Sequence, residues 1–459
     1  MSEMTPPSWF GPSVFALGLS ITAIWAQSPG DAFGQLPSGL ESSLTPDNDA
    51  SALITESALS PGLEGGLSEE PSLERGNSVA APPAFFDQTR LRQPSVVGNP
   101  RDPLAARRKA KSNVPFQVRS GIEYNDNVFI DGQDKDDDVV FVVAPTLSVN
   151  AGDFRNQQAT YLSAAYTATG SAYLKNTTSE TLDHLFQVQG QLKKKKVTIP
   201  FDVRMTRETG AFLDLGGRDT AESYGGRLGI DYALSSKVSL GMSGEYSTTD
   251  YGLFADYHSF TADAYFSYRT SSKTTVSCVY RYSESQTDGA DSQAYQAALV
   301  RLDAKPSAKT SVIAEAGIAF SNLSKGDRSD LVYRFGVGYQ PNSKQRLSFE
   351  AVRQPSTSAF TIGSGFINNG LQLSFEQAVG HKTRVILTGG YQHQDYFAAE
   401  EGVTAERKDD YFLFSSLLAY DINPHWQAEF YYTCSSNESN DTTLGFDNQR
   451  VGMGLNWTY

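Results

Sequence analysis

Beyond about its first thirty positions the chain has no apolar run of about 18 or more residues, which excludes a protein that crosses a membrane on helices. Cysteine is nearly missing. Of 459 residues only Cys278 and Cys434 carry a thiol, far apart in alternating segments where each reads as a small apolar residue rather than half of a disulfide or a metal pair. Basic residues are in deficit, 38 Lys and Arg against 52 Asp and Glu with a net charge of -14, so the phosphate-binding surface of a nucleic-acid partner is missing. Proline is scarce where it would harm a sheet: 13 of the 20 prolines precede Pro115.

What is present is alternation. The last nine residues, Val451-Gly-Met-Gly-Leu-Asn-Trp-Thr-Tyr459, place apolar side chains on one face and small or polar ones on the other, and they end on an aromatic. The same period of two recurs at hairpin spacing back to about Val114. With 39% hydrophobic residues, 12% aromatics and 39 glycines, but a mean hydropathy of -0.37, the chain suits sheets that are greasy outside and wet inside. Those properties coexist with membrane residence only in a barrel.

The N-terminal region reads differently. Residues 1–26 resemble a cleavable signal, with an apolar core from Ser13 to Ala26 and a cut expected before Gln27, although Glu3 stands where a basic residue is usual. Residues 27–113 are rich in Ser, Pro, Gly and acidic residues without sustained periodicity, and read as a disordered periplasmic segment. It closes with a basic stretch, Arg101 to Lys111, which suits a solubilising linker or a contact with anionic headgroups or cell-wall polymer.

From 114 to 459, tight connections such as Ser235-Ser-Lys237, Lys305-Pro-Ser-Ala-Lys309, Pro341-Asn-Ser-Lys344 and Gly380-His-Lys382 alternate with longer polar loops. The longer ones are expected near 125–138, 169–179, 208–220, 247–256, 283–291, 321–329, 355–365, 395–408 and 435–446. This predicts an all-β, antiparallel, up-and-down transmembrane β-barrel of about 18 strands, with both chain ends on the short-turn, periplasmic side. Residues 139–143, 292–303 and 411–420 are apolar on both faces or choose neither, so their orientation stays open. A soluble sandwich would also alternate. It has no need of aromatic belts, yet Tyr232, Tyr339, Tyr420, Trp426, Trp457 and Tyr459 gather near the short turns, and Tyr124, Tyr246, Phe320, Tyr391 and Tyr432 near the long loops.

If the apolar face meets lipid, the lumen receives Arg119, Glu123, Asp202, Arg204, Arg227, Asp231, Glu245, Asp263, Arg269, Arg281, Glu315, Arg334, Arg346, Glu350, Glu376, Arg384, Glu429 and Arg450. Interspersed charges of both signs either set a transverse field for polar solutes or pair with one another across strands. Catalysis would require one of His184, His258, His381, His393 or His425 beside a serine on the outer face, and no spacing selects such a pair. The acidic loop Asp131 to Asp138 lacks the ligand spacing of an EF-hand and reads as a solvated loop, with cation bridging to lipid as the alternative. Asn176-Thr-Thr178 and Asn437-Glu-Ser439 match the glycosylation triplet only formally. No enzyme activity, cofactor or metal is expected.

The opening stretch Ser120-Gly-Ile-Glu-Tyr-Asn-Asp-Asn-Val-Phe129 resembles the start of a β-barrel porin family of Gram-negative outer membranes, whose members often open on a Gly-x-x-Tyr-x-Asp-Asn-like segment. The resemblance covers about 114–459 and implies an outer-membrane porin passing polar solutes. Relatives that accompany exopolysaccharide systems imply an alternative in polysaccharide export or assembly. A plugged structural or adhesive barrel is a third reading. Val451, Met453, Leu455, Trp457 and Tyr459 would form the C-terminal signal read by the barrel-insertion machinery, as in similar barrels. Outer-membrane lipid and lipopolysaccharide are the expected surroundings.

Overall fold

A computed structural model of the chain describes residues 114–132, 134–154, 159–212 and 217–459. The signal, the periplasmic segment and the basic stretch expected before Val114 lie outside the described residues. The rest is one closed antiparallel sheet of 18 strands: β1 Phe116–Asn125, β2 Asp138–Gly152, β3 Tyr161–Tyr173, β4 Thr181–Lys194, β5 Val197–Phe212, β6 Gly217–Ala233, β7 Val238–Tyr251, β8 Tyr257–Ser271, β9 Thr274–Thr287, β10 Gln293–Ser307, β11 Thr310–Asn322, β12 Arg328–Asn342, β13 Gln345–Thr357, β14 Ser364–Val379, β15 Thr383–Ala398, β16 Lys408–Asp421, β17 Trp426–Ser439 and β18 Phe446–Thr458. Each strand pairs with its sequence neighbours. Closure comes from β1 lying against β18, with Gln117 opposite Thr458 and Asn125 opposite Arg450.

Alternation dictates this architecture because every backbone N–H and C=O must find a partner where water is excluded, and closing the sheet removes its edges. Both termini of the barrel fall at the short-turn end, where the Tyr459 N–H donates to the Phe116 carbonyl at 2.9 Å. The longer connections are shorter than the composition suggests. β3 runs to Tyr173, β5 to Phe212, β7 to Tyr251 and β9 to Thr287, into segments expected as loop, because their Thr, Ser and Tyr residues keep the period of two and suit a pleated backbone in water as well as in lipid.

The strands of ambiguous pattern also acquire faces. In β10 Val300 points outward while Tyr295, Ala297, Leu299 and Arg301 point inward; in β16 Phe412, Phe414 and Leu418 are outside while Tyr411, Leu413 and Leu417 are inside. Cys278 on β9 and Cys434 on β17 are free thiols, each opposite to its strand's inward set and eight strands apart in the order of the sheet.

Candidate functional site

Two faces define the molecule. Large apolar residues at alternate positions stand exposed on the outer face, Leu228, Ile230, Tyr232, Met242, Phe266, Ile318, Phe335, Leu373, Phe414 and Phe430 among them, with Met453 60% accessible. A surface of that kind is compatible with lipid and not with water. The aromatic positions cited above all lie on this face, toward the two ends of the strands. Val451, Met453, Leu455, Trp457 and Tyr459 share it, and the Trp457 ring sits 6.0 Å from Phe116, 6.5 Å from Trp426 and 6.2 Å from Tyr459, a compact aromatic seam at the closing strand.

The opposite set forms the inner wall. By cross-strand pairing, all 18 charged residues assigned to it from sequence stand on that face, and most are brought into contact. Arg281 on β9 holds Asp263 of β8 at 2.8 Å and reaches Glu315 of β11 at 3.3 Å, passing over the small Ala297 of β10. Arg334 holds Glu350 at 2.6 Å, Arg119 holds Glu429 at 2.7 Å, and Arg450 and Arg384 approach Glu123 and Glu376 at 3.6 and 3.8 Å. Arg227 lies between Asp202 and Glu245 in the two ladders, and Arg346 lies opposite Glu376. Arg204 and Arg269 stand outside these pairs, and Asp231 instead accepts the Tyr265 hydroxyl. Sequence reading passed over Arg301, which is buried and forms a bidentate pair with Asp303 two positions on in the same strand at 2.9 and 3.0 Å. Its inward parity was hidden by the apolar residues on both faces of β10.

An apolar patch interrupts the charged wall. Tyr265, Val279, Leu299 and Val332, with Ala297 and Ala319, form one buried cluster across β8 to β12. Tyr265, Val279, Leu299 and Val332 form the row between that of Arg301, Glu315 and Arg334 and that of Asp263 and Arg281, which Ala297 and Ala319 continue.

The long-loop mouth is the most constructed part of the barrel. The loop 358–363 between β13 and β14 turns inward, and its Ala359 packs on the inward residues Ala221 of β6 and Tyr251 of β7. Below it, Ser285 of β9 meets Thr357 of β13 at 2.5 Å, the Thr287 hydroxyl donates to the Ser358 carbonyl at 3.0 Å, and the Gln293 amide to the Ser364 carbonyl at 3.1 Å. These bonds carry the chain across the inner side of β11 and β12. Arg407, paired with Asp409, stacks over Tyr396 and Phe360 at 4.6 and 5.3 Å and ties the loop 399–407 to the same structure. Elsewhere on the mouth, Ile130 of the β1–β2 loop packs on the inward rings of Tyr411 and Phe446. Asn127, fully buried, binds the carbonyls of Asp131 and Asp447. Sequence alone left these loops unassigned. The clue was present: Ala359, Phe360 and Ile362, like Val128, Phe129 and Ile130, are apolar residues inside otherwise polar connections.

The acidic loop turns its last two carboxylates on the neighbouring connection between β3 and β4. Asp138 accepts the N–H groups of Leu174, Lys175 and Asn176 at 2.8 to 3.2 Å, and the Asp137 carboxyl is held below the usual carboxylate range by its hydrogen bond from the Lys175 ammonium. No group of His, Cys, Asp and Glu able to hold a metal occurs among the described residues. Asn437 faces inward and donates to the Leu444 carbonyl at 2.8 Å.

One histidine has neighbours of catalytic type. On the outer face the Thr248 hydroxyl lies 3.0 Å from His258 Nδ1, and His258 Nε2 lies 3.2 Å from Asp288. The adjacent amides of β7 and β8 are engaged in ladders, which leaves no paired N–H groups for an oxyanion. His393 is bound to Asp410 at 2.9 Å and His184 to Tyr166 at 2.8 Å; His381 and His425 sit in or beside short turns.

No family model and no curated protein matches the chain. Among solved structures it is similar to OpdQ of Pseudomonas aeruginosa, with a TM-score of 0.42 and 11% identity over 76% of this chain and 99% of that one. OpdL of the same organism gives 0.40 and 9% over the same shares. The siderophore receptor PirA, also of Pseudomonas aeruginosa, gives 0.38 and 8% over 76% of this chain and 81% of that one.

Proposed function

We propose that this chain is an outer-membrane channel for the passive passage of polar solutes, with its N-terminal segment in the periplasm. One observation carries the reading: a closed 18-strand sheet with an apolar outer face and an inner wall of guanidinium and carboxylate groups. A barrel needed only as an anchor could line its interior with small or apolar residues. Twenty or so inward charges, by contrast, hold water, and water is what a polar solute requires. The reading includes insertion through the aromatic closing strand and contact of the outer face with lipid and lipopolysaccharide.

Selection in this barrel falls to two places. The mouth, narrowed by the inward loop 358–363, sets size, while the paired wall offers alternating donors and acceptors at which hydroxyls exchange for water. Because the charges are largely paired with one another, the wall carries little net field. The decisive measurement is single-channel recording of the refolded protein in planar bilayers with sugars of graded size. Discrete steps that shrink with permeant sugars and recover with excluded ones support the channel, whereas a folded, inserted barrel without steps refutes it.

A further inference from the structure

Six successive short turns place a lysine at one equivalent position. The carbonyls of Lys196, Lys237, Lys273, Lys309, Lys344 and Lys382 each accept an N–H from the end of the next hairpin, from Ala233, Arg269, Lys305, Gln340, Ala378 and Asp421, at 2.7 to 2.8 Å. Four of the six are fixed a second time: the N–H groups of Lys237, Lys273, Lys309 and Lys344 donate to the side-chain oxygen two positions back, on Ser235, Ser271, Ser307 and Asn342, at 2.8 to 3.2 Å. The turns thus set one cation per hairpin, on the order of 10 Å from the next along the rim at the usual strand spacing. All six lysines are exposed, and none of the six turns contains Asp or Glu. The ammonium groups of Lys196, Lys273 and Lys382 lie 3.1 to 3.4 Å from the carbonyls of Leu234, Pro306 and Ile422 in the next turn, while those of Lys237, Lys309 and Lys344 have no partner among the described residues.

This row of cations borders the apolar outer face. Leu234 and Ile422, at whose carbonyls Lys196 and Lys382 end, point outward and stand exposed, and Tyr232, Tyr268, Tyr339, Tyr420 and Trp426 stand exposed on the same face within a few residues of the turns. Aromatic rings so placed settle at the level of lipid headgroups. A lysine just beyond such a belt keeps its methylenes against the apolar band and its ammonium in the phosphate layer. We propose that the lysines of the short-turn rim select anionic phospholipids from the leaflet they meet, the periplasmic one in the orientation proposed above, each ammonium taking a lipid phosphate. A zwitterionic headgroup brings its own cation against the row, whereas an anionic one brings the phosphate alone. Attraction of that kind accumulates with each lysine near the surface. Because the turns already hold every lysine backbone, only side chains are ordered on contact. The long-loop end has the opposite charge balance, which confines the selection to one leaflet. A cell-wall polymer is the weaker candidate, since it would have to displace headgroups that surround the rim at all times.

The selection rests on the lipid contact proposed for the outer face and is tested without conductance. Trp426 and Trp457 stand at this rim, and Trp9 and Trp25 are the other two tryptophans, so the full chain carrying Trp9→Phe and Trp25→Phe fluoresces from the rim alone. It is refolded into bilayers of equal parts phosphatidylcholine and phosphatidylglycerol, with bromine on the acyl chains of one lipid or the other. Brominated phosphatidylglycerol should quench more strongly, by about twofold or more, and the preference should disappear in about 1 M salt. Lys382→Gln should weaken it, because the Lys382 ammonium lies at the Ile422 carbonyl and the Ile422 N–H is bonded to the Trp426 carbonyl at 3.0 Å. Lys273→Gln, eight strands from Trp426 in the order of the sheet, should leave it unchanged. Changing all six lysines to glutamine, which spares the backbone bonds of the turns, should abolish it while the barrel keeps its heat-modifiable mobility. Equal quenching by the two lipids, or a preference that survives the sixfold change, overturns the selection and leaves the lipid contact standing. Absence of quenching by either lipid overturns both. Sedimentation with purified peptidoglycan that depends on the six lysines, with no preference between the lipids, would assign the row to the cell-wall polymer instead.

Discussion

Tyr265 and Tyr431 are built into the wall in the same way at two distant places. Each ring lies over a glycine of the neighbouring strand, Gly241 and Gly452, and its hydroxyl reaches a carboxylate one strand further on: Asp231 for Tyr265, and Glu123 for Tyr431 at 2.6 Å. Each Tyr-Gly-acid set occupies one row across three strands. The glycine is required because a Cβ there would occupy the space of the ring. Gly452→Ala should therefore lower the stability of the refolded barrel by about 1–3 kcal/mol, read as a shift in the urea midpoint in detergent. Gly389→Ala, whose Cβ meets open space, should leave the midpoint within about 0.5 kcal/mol. The fully buried Asp138, which accepts three consecutive N–H groups of 174–176, makes a second case. Asp138→Ala leaves those amides without their charged acceptor and should cost about 2 kcal/mol by the same measurement. Glycine abundance was visible in the sequence, but which glycine faces a ring depends on register, and register emerges only from pairing across strands.

The strands were legible because lipid imposes one rule on nearly all of them: outward positions must be apolar, and tight turns rich in Ser, Asn and Lys separate the hairpins. The count of 18, the closing strand and the side on which the ends lie follow from that rule. It weakens wherever the inner face is itself apolar, as in β10 with Leu299 and Tyr295 or β16 with Leu413 and Leu417, since there both faces read alike. It is silent on loops, whose path depends on contacts far away in sequence, such as Ala359 on Ala221. That loop is where an element-level experiment bites. Replacing Ala359-Phe-Thr-Ile362 by Gly-Ser-Gly-Ser removes the packing on Ala221 and Tyr251, so single-channel conductance and the size of the largest permeant sugar should both rise while the barrel stays folded. Unchanged values would place the constriction elsewhere. At the closing strand, changing Trp457 to Ala and removing Tyr459 takes away the seam with Phe116 and Trp426, and the heat-modifiable, folded fraction in the outer membrane should fall.

The whole barrel is polarised along its axis. The described connections at the long-loop end hold fourteen Asp and Glu against four Lys and Arg, whereas the opposite rim bears Lys196, Lys237, Lys273, Lys309, Lys344 and Lys382 in six successive short turns. Between them the wall is nearly balanced and paired, so long-range fields arise at the two ends rather than in the middle. An acidic mouth in series with a basic rim treats the two signs of current differently. With the long-loop side positive, cations concentrated at the acidic mouth and anions concentrated at the basic rim are both driven into the lumen; with the polarity reversed, both are drawn out. The open channel should therefore pass more current in the first polarity at low salt. The asymmetry should vanish near 1 M, where the screening length falls from about 30 Å at 0.01 M to about 3 Å. Changing Asp131, Asp134 and Asp136 to Asn should weaken the effect. Equal currents in both polarities at 0.01 M would show that the two ends do not govern ion entry, and would move selectivity back to the paired wall.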